Sequence, residues 1–433
     1  MRYVILTVAL LGAPGSIRGQ EPIRLGVAEA MARARTAHPQ LSGPRAERRA
    51  READARGSNA AYLPSVGAEW LLMRSDDPVA AFGAKLRQGI FSGADLGLDA
   101  LNNPNAISNV SLGVTVEQPL LAPSGWMGRR AAKAGVAAAR SAETRAEQLA
   151  ALDALGAYYG AVLASSRVAS LDTALAAMNE TVRQVRTFRR EGMVTIVDEQ
   201  LATARLSELE AARAMAQAGR LEAVDRLLLL MGDDPGQTVE LTDSLAITTL
   251  EPAMAPRADL EALRAVVDAQ QANLARNRAE LLPTAGAFGS LAFNDDKLAA
   301  LTGPMRWTAG VVVRWSPFRG LRETAEIDRA RAGRDRAREE LAAAERSAQA
   351  EVRAAVARLE AATAALEATE RALDQAAQAA RVAATRYAGG AGTLSELLAI
   401  RAAESAQRQS RLEALYQARL AQAQVAVARG GNP

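Results

Sequence analysis

Side chains that commonly perform chemistry are scarce in this sequence of 433 residues. It contains no cysteine and a single histidine, His38. Thiolate nucleophiles, disulfides and Cys-ligated metal sites are therefore excluded, and a Ser-His triad has one candidate base at most. The Asp-Asp pairs at 76–77, 233–234 and 295–296 stand among turn residues and are most simply solvated loops. We predict that the protein is not an enzyme and that it holds no metal and no cofactor.

Two similar glycine-containing segments are the sharpest candidate sites. REGMVTIVDEQL (190–201) and AGGAGTLSELLA (388–399) each carry a Gly, then a Thr, then an acid three residues after the Thr. Glycine permits the positive φ at a helix end, and Thr with a following acid forms the capping box that begins a helix. The second segment lacks the Lys-Ser/Thr of a phosphate loop, so a turn between helices is favoured. The candidate residues are Gly192, Met193, Val194, Thr195 and Asp198 in the first turn and Gly390, Ala391, Gly392, Thr393, Leu394 and Glu396 in the second.

Each turn must be positioned by long helices. The stretches 127–188 and 321–387 contain no proline, and at 1.5 Å per residue they predict helices of roughly 93 and 100 Å. Shorter helical segments, 197–231 and 394–428, follow the turns as antiparallel partners. Alanine is about 99 of the 433 residues, and alanine seams with charged outer faces suit coiled-coil packing with close helix axes.

The sequence repeats once. YLPSVGA (62–68) recurs as LLPTAGA (281–287), and GVTVEQPLL (113–121) recurs as GVVVRWSPF (310–318). Each half therefore reads helix, strand, loop, strand, long helix, turn, helix. Pro64, Pro119, Pro283 and Pro317 are predicted to mark the helix–strand borders. The first half has a longer polar loop, 75–109, between its strands.

These patterns give the predicted division of the chain. It comprises a signal peptide at 1–20; a first repeat at 21–231, with a β-hairpin at about 65–118 and a helix hairpin at 127–231; a linker at 232–257; and a second repeat at 258–433, with a β-hairpin at about 284–316 and a helix hairpin at 319–428.

The predicted strands alternate between apolar and polar residues. Trp307 and Trp315 share the apolar face of one strand and lie eight residues, or roughly 26 Å, apart. This spacing matches the apolar band of an outer-membrane barrel with its aromatic girdles, and Trp70 is a third candidate for that interface. Four strands cannot close a pore, so a membrane barrel would require several chains. The alternative is a soluble sheet packed on the helices.

The N-terminus has the features of a secretory signal peptide. Met1 and Arg2 precede an apolar run of about ten residues, and small residues follow it. No other stretch has about 18 uninterrupted apolar residues, so no transmembrane helix is expected in the mature chain. Without cysteine, no lipid anchor on an N-terminal Cys is expected either.

In their order and duplication, these features resemble the TolC-like outer-membrane efflux channel family. IRLGVAEAMARARTAHPQL (23–41) resembles that family's leading short helix, and VEQPLL and VRWSPF resemble its strand-to-helix transitions. The stretch 82–109 resembles the outer loop of its efflux members. The resemblance covers essentially the whole mature chain.

The resemblance implies a mainly α fold with a membrane β-barrel. Three chains with four strands each would form one twelve-stranded barrel on a long periplasmic α-helical coiled-coil tunnel. The expected location is the bacterial outer membrane, extending into the periplasm. Expected partners are two further copies of the chain, a periplasmic adaptor (membrane fusion) protein, an inner-membrane transporter of RND type and outer-membrane lipid. No nucleic acid is expected, because the 52 basic and 49 acidic residues are spread throughout the chain.

The resemblance also assigns roles to the turns, which would form the periplasmic tip where the adaptor docks. Met193, Val194, Ala391 and Leu394 are expected to be exposed there. Glu396 matches an acidic position of the family's constriction ring, whereas the family's second acidic position is Ala399 here. The remaining constriction candidates are Asp198, Arg186 and Arg386, with the arginines expected to pair with the acids and hold the tip closed.

The predicted function is a passive exit duct for small molecules or metal ions, the outer-membrane channel of a tripartite efflux system. The exit duct of a type I protein secretion system is an alternative with the same fold. A periplasmic coiled-coil adaptor or scaffold, with soluble β-domains and one helical hairpin, is a further alternative. A cell-envelope enzyme is disfavoured by the single histidine and the absent cysteine.

Overall fold

The computed structural model describes residues 23–246, 255–297 and 303–433, and the predicted signal peptide lies outside them. The helices in these residues are α1 (Val27–Ala37), α2 (Ser42–Gly57), α3 (Pro78–Gln88), α4 (Leu98–Asn102), α5 (Pro123–Arg190), α6 (Ile196–Met231), α7 (Ala258–Ala279), α8 (Arg322–Ala388) and α9 (Leu394–Ala428). The strands are β1 (Ile23–Leu25), β2 (Ser65–Ser75), β3 (Ile107–Leu121), β4 (Val239–Leu241), β5 (Thr284–Asp295) and β6 (Met305–Arg314).

The chain divides into two compact units, and each takes residues from both repeats. The first contains the residues up to Leu41 together with Glu147–Ala255 and Glu351–Pro433. The second contains Ser42–Ala146 and Pro256–Ala350. Helices α5 and α8, of 68 and 67 residues, supply residues to both units. The compact units and the sequence repeats are therefore different divisions of the same chain.

The second unit contains a four-stranded antiparallel sheet with the strand order β2, β3, β5, β6. Each repeat contributes one hairpin, β2 with β3 and β5 with β6. The pairing of β3 with β5 joins the hairpins into one sheet. Since β2 and β6 are the edge strands, each keeps one side of its backbone unpaired within the described chain.

The register of the sheet separates an apolar face from a polar face. Residues directly opposite one another on paired strands point to the same side. One row across three strands consists of Val114, Leu291 and Trp307, and the next row consists of Thr115, Ser290 and Thr308. On the apolar face, Trp70, Trp307 and Val311 are exposed in this single chain. A large apolar surface of this kind requires a cover.

One predicted border differs in the structure. The sequence predicts that Pro119 ends a strand, but β3 continues to Leu121. The ladder with β5 continues past Pro119, but its register shifts between Pro119 and Leu121. The shift lies at the proline because proline has no N–H to donate to the ladder. Helix α5 then begins at Pro123, four residues earlier than predicted, because proline fits the first turn of a helix.

The predicted polar loop 75–109 is partly helical, which corrects the sequence interpretation. The side chain of Asp77 accepts a hydrogen bond from the Ala80 amide and begins α3, with Pro78 in the first turn. Gly89, at φ 73°, ends the helix. The Asp-Pro start and the glycine end were both readable in the sequence. The prediction of a loop was based instead on the polar composition of residues 75–109 as a whole.

Buried amides fix α3 onto the sheet. The Gln88 side-chain amide donates to the Ser108 carbonyl at 2.8 Å and to Asn109 Oδ1 at 2.9 Å. Asn109 in turn donates to Asn294 Oδ1 at 3.1 Å. Gln88, Asn109 and Asn294 are all buried, so the insert is bonded to β3 and β5 at one end of the sheet.

The core of the first unit surrounds Tyr158 of α5. Its hydroxyl donates to the Leu25 carbonyl at 2.9 Å and accepts from the Asp243 amide at 3.0 Å. The short strands β1 and β4 pair in parallel beside it. Leu227 and Leu228 complete a buried apolar cluster there, so the beginning of the first repeat and the linker after it share one core.

Helix α5 (Pro123–Arg190) also contains a window that is long and apolar enough to cross a membrane by length and composition. Half of that window is buried inside the fold. Core helices of soluble domains pass the same test, so the window is weak grounds for a membrane span.

Candidate functional site: the two helix-hairpin turns

The first turn, between α5 and α6, has the predicted capping geometry. Gly192 has φ 73°, and the Met193 amide donates back to the Phe188 carbonyl at 2.8 Å. Thr195 Oγ1 accepts from the Asp198 amide at 3.3 Å, and Asp198 Oδ2 accepts from the Thr195 amide at 2.8 Å. This reciprocal pair is a capping box. The bonds from the Thr195 hydroxyl and amide lower the pKa of the Asp198 carboxyl.

The second turn, between α8 and α9, is built differently. Gly390 has φ 73°, and Thr393 Oγ1 accepts from the Glu396 amide at 3.2 Å. The Glu396 side chain does not complete the box, so the prediction of a second capping-box acid is wrong. It accepts instead from Arg386 Nη1 at 3.3 Å. Arg386 also donates to the Ala391 carbonyl at 3.2 Å. Its ion pair with Glu396 keeps the Glu396 carboxylate away from the Thr393 amide.

The arginines of the first turn pair with an acid that the sequence interpretation missed. Arg186 and Arg189 both bond to Glu199, and the pKa of its carboxyl is lowered, most strongly by the hydrogen bond from Arg189. Asp198, one of the acids with which the arginines were expected to pair, is bonded to Thr195 instead. Arg190 lies along its own helix and donates to the Arg186 carbonyl. The missed signal was the second acid in the first turn of α6.

The two hairpins meet in an apolar cluster directly behind the turns, here called the turn core. Leu394 belongs to it and is only 3% exposed, so the prediction that it is exposed is wrong. It begins an apolar stripe of α9 that must face another helix. Phe188 and Tyr387 bring the repeats together, with ring centroids 5.8 Å apart. The buried members of the turn core are Met178, Val182, Val185, Ala202, Ala383, Tyr387, Leu394, Leu397 and Leu398.

Exposure of apolar side chains differs between the turns. In the first turn Met193 is 59% exposed, and Ile196 and Val197 are exposed with it. Val194 is half-buried against the turn core, contrary to expectation, while Ala391 is exposed as expected. Ile196 and Val197 were not among the candidates predicted from the sequence. They are the first residues of α6 and therefore lie at the turn end of the hairpin.

The remaining candidates are spread over other parts of the fold. Trp307 lies near the start of β6, and Trp315 lies just beyond its end, where the indole Nε1 donates to the Leu281 carbonyl at 3.1 Å. Trp70 is central in β2. His38 is buried at the end of α1, and its Nδ1 accepts from the Gln40 amide at 3.2 Å. In the described residues no group of three or more His, Asp or Glu is arranged to hold a metal ion.

Comparison with known proteins identifies the class to which this fold belongs. The family described as outer membrane efflux protein matches residues 30–233 and 249–431, which is most of the chain. The chain therefore belongs to the outer membrane efflux protein family and is an outer-membrane transport protein. No match was found among curated proteins.

Solved channel structures share the fold. The outer membrane protein VceC of Vibrio cholerae is similar with a TM-score of 0.78 at 19% identity, over 94% of this chain and 96% of that one. The MtrE channel of Neisseria gonorrhoeae, solved in an open state, gives 0.75 at 19% identity over 94% and 89%. The CmeC channel of Campylobacter jejuni gives 0.74 at 16% identity over 94% and 85%.

Proposed function

We propose that this chain is the outer-membrane channel of a tripartite efflux system, a passive exit duct for small molecules or metal ions. The observation that carries the proposal is the four-stranded sheet, whose register collects apolar side chains on one exposed face and polar side chains on the other. An apolar outer face and a polar inner face are what a membrane barrel with an aqueous lumen requires.

We propose that a homotrimer closes the barrel. In the described chain β2 and β6 are unpaired edges, and closing the sheet on itself is how barrels remove such edges. Four strands from each of three chains give twelve, which is wide enough for an open lumen. Trp307 and Trp315, at the two ends of β6, are proposed to lie at the two membrane interfaces. Trp70, in the middle of β2, fits that role less well.

The two turns are the proposed periplasmic tip. The exposed Met193, with Ile196 and Val197 beside it, offers an apolar surface for a periplasmic adaptor, which would link the channel to an inner-membrane transporter. The second turn offers Ala391, with Gly390 and Gly392 around it. The ion pairs Arg386–Glu396 and Arg186–Glu199 are proposed to hold the constriction, with one set from each chain of the trimer.

Membrane fractionation combined with native mass measurement tests the assembly. We expect the protein in the outer membrane as a trimer, and a soluble monomer would refute the proposal. Deletion of the gene should raise intracellular accumulation of a fluorescent efflux substrate, and re-expression should reverse it. Loss of a secreted protein, with small-molecule accumulation unchanged, would instead indicate a type I secretion duct.

A further inference from the structure

A cavity of about 350 Å³ lies within the first unit, between segments of α5, α6, α8 and α9. Its size is that of a pocket for a small organic molecule. Much of its wall is alanine, and these small side chains leave the space open between four neighbouring helices. Met178 and Leu398 belong both to the cavity wall and to the turn core.

The wall carries an excess of positive charge. The charged lining residues are Arg205, Arg381, Arg401, Arg408 and Glu404. Arg205 pairs with Glu208 at 2.5 Å, and Arg408 pairs with Glu404 at 2.8 Å. Arg381 and Arg401 have no carboxylate partner within the residues that the structure describes. Arg401 is therefore a half-buried cation without an ion-pair partner, whereas Arg381 is exposed to solvent at the cavity.

Arg401 is the more constrained of the two. Its Nη1 donates to the Ala177 carbonyl at 2.7 Å and to Thr181 Oγ1 at 2.8 Å, both of which are neutral acceptors. Burial lowers the pKa of its guanidinium, while Glu404 acts on it only through space. A partly buried cation without a paired anion is costly to the fold, and a bound anion would offset that cost.

Ser170 adds a buried polar side chain to the cavity wall. It lines the cavity and is 8% exposed, and its buried hydroxyl has no hydrogen-bond partner in the described chain. Nearby serines of the same helix do find one, because Ser165 and Ser166 each donate to the carbonyl four residues earlier at 2.9 Å. Buried hydroxyls without a partner are uncommon in folded proteins.

We propose that this cavity is a binding site for a small amphiphilic anion, such as an aromatic sulfonate or carboxylate. Arg401 and Arg381 bind the charged head. Met178, Leu398 and the alanines contact the apolar body. The site lies within one chain and does not rest on the proposed export function. A ligand there packs against the turn core and stabilises the contact between the two hairpins.

Calorimetric titration of naphthalene-2-sulfonate into the full-length protein in lipid nanodiscs tests the site, with empty nanodiscs as the blank. We expect one saturable site per chain. The neutral analogue 2-naphthylmethanol should bind at least tenfold more weakly, because it lacks the charge that the arginines attract. No saturable heat above the blank, or equal binding of the two compounds, would overturn the proposal.

Variants locate the binding within the cavity. Arg401→Gln removes the charge, and Ala377→Phe fills the space while keeping every arginine, so each should weaken binding at least tenfold. Arg371→Gln is the matched control, since Arg371 is exposed on α8 and does not line the cavity. Should Arg401→Gln fail to fold, Ala377→Phe decides alone. Unchanged binding in Ala377→Phe would place the ligand elsewhere and refute the site.

Discussion

At the scale of single residues, the two turns use similar sequences in different ways. Asp198 closes a capping box with Thr195, whereas Glu396, at the equivalent position, is held by Arg386. The difference arises because Arg386 lies within reach of both Glu396 and the Ala391 carbonyl. In the first turn the arginines bond to Glu199, which leaves Asp198 to cap the helix. Equivalent positions in a repeat therefore need not have equivalent partners.

The capping box gives a prediction about helix α6. Thr195→Ala removes two side-chain bonds at once and should destabilise the first turn of α6 by about 1 kcal/mol. Amide hydrogen exchange in residues 196–199 should then be several times faster. Thr393→Ala is the matched control in α9, where the Thr393 hydroxyl bonds to the Glu396 amide and to Ser395 Oγ but to no carboxylate, and its effect should be smaller. Equal effects in the two helices would contradict this account of the caps.

Ion pairing at Glu199 predicts a pH dependence at the first turn. Its pKa is lowered in the folded state, so its ion pairs are intact above the unfolded value of ~4.3 and are lost as pH falls through the folded pKa. Since the chain has no cysteine, Met193→Cys accepts a single spin label. Glu199→Gln should increase the label's mobility at pH 7, and the difference from the wild type should disappear as the pH falls through the folded pKa of Glu199.

The control for this measurement is Glu210→Gln. Glu210 is an exposed acid of α6 without an arginine partner among the described contacts, and its loss should leave the label unaffected at every pH. An effect of Glu199→Gln that persisted in acid would show that the glutamate acts through something other than its charge.

At the scale of elements, the insert between β2 and β3 is an ordered cap and not a free loop. Ala81 and Ala84 of helix α3 are buried, and Gln88 at its end bonds to the sheet. Within the insert, Lys85 Nζ bonds to Asp95 Oδ1 at 2.6 Å. This pairing and the bonds from Ser92 lower the pKa of the Asp95 carboxyl to about 2. These contacts keep the insert ordered at the end of the sheet.

Removal of the Gln88 amide tests how the insert is held. Gln88→Ala leaves Asn109 Oδ1 and the Ser108 carbonyl without their donor, at a cost of about 1–3 kcal/mol. We expect faster hydrogen exchange in α3 and faster proteolysis after it. Arg87→Ala, at an exposed neighbouring position, should change neither. If both variants behaved like the wild type, the amide network would not be what holds the helix.

At the scale of the whole molecule, the two repeats interlock. The pairing of β3 with β5 unites their hairpins in one sheet, and the turn core unites their helices near the turns. Neither repeat forms the sheet or the turn core alone, because each repeat supplies only two of the four strands and part of that core. The exposed apolar face of the sheet remains uncovered in one chain, which is why the proposed function requires both a membrane and further copies.

Two adjacent valines of β6 test that assignment of faces. Val311 is exposed on the apolar face, and Val312 lies on the polar face. Val311→Arg would place a charge toward lipid at a cost of about 2 kcal/mol per chain and should reduce the trimer recovered from the outer membrane. Val312→Arg should assemble normally and change only the conductance in planar bilayers. The reverse outcome would show that the polar and apolar faces of the sheet are assigned to the wrong sides of the barrel.

The sequence by itself determined the features that depend on local patterns. Residue spacing in the sequence predicted the duplicated order, the lengths of the long helices, the alternation of the strands and the glycine turns. This is possible because helices and strands each impose a characteristic repeat of residue types along the chain. The Thr195–Asp198 cap was predictable for the same reason, since both partners lie within one turn.

Only the tertiary structure decided which groups meet across distance. The burial of Leu394, the choice of Glu199 over Asp198 as the arginine partner and the cavity around Arg401 each depend on how several helices pack. The register of β3 on β5 likewise joins residues that are far apart in the chain. Such contacts are set by packing and by competition between partners, and a linear pattern carries neither.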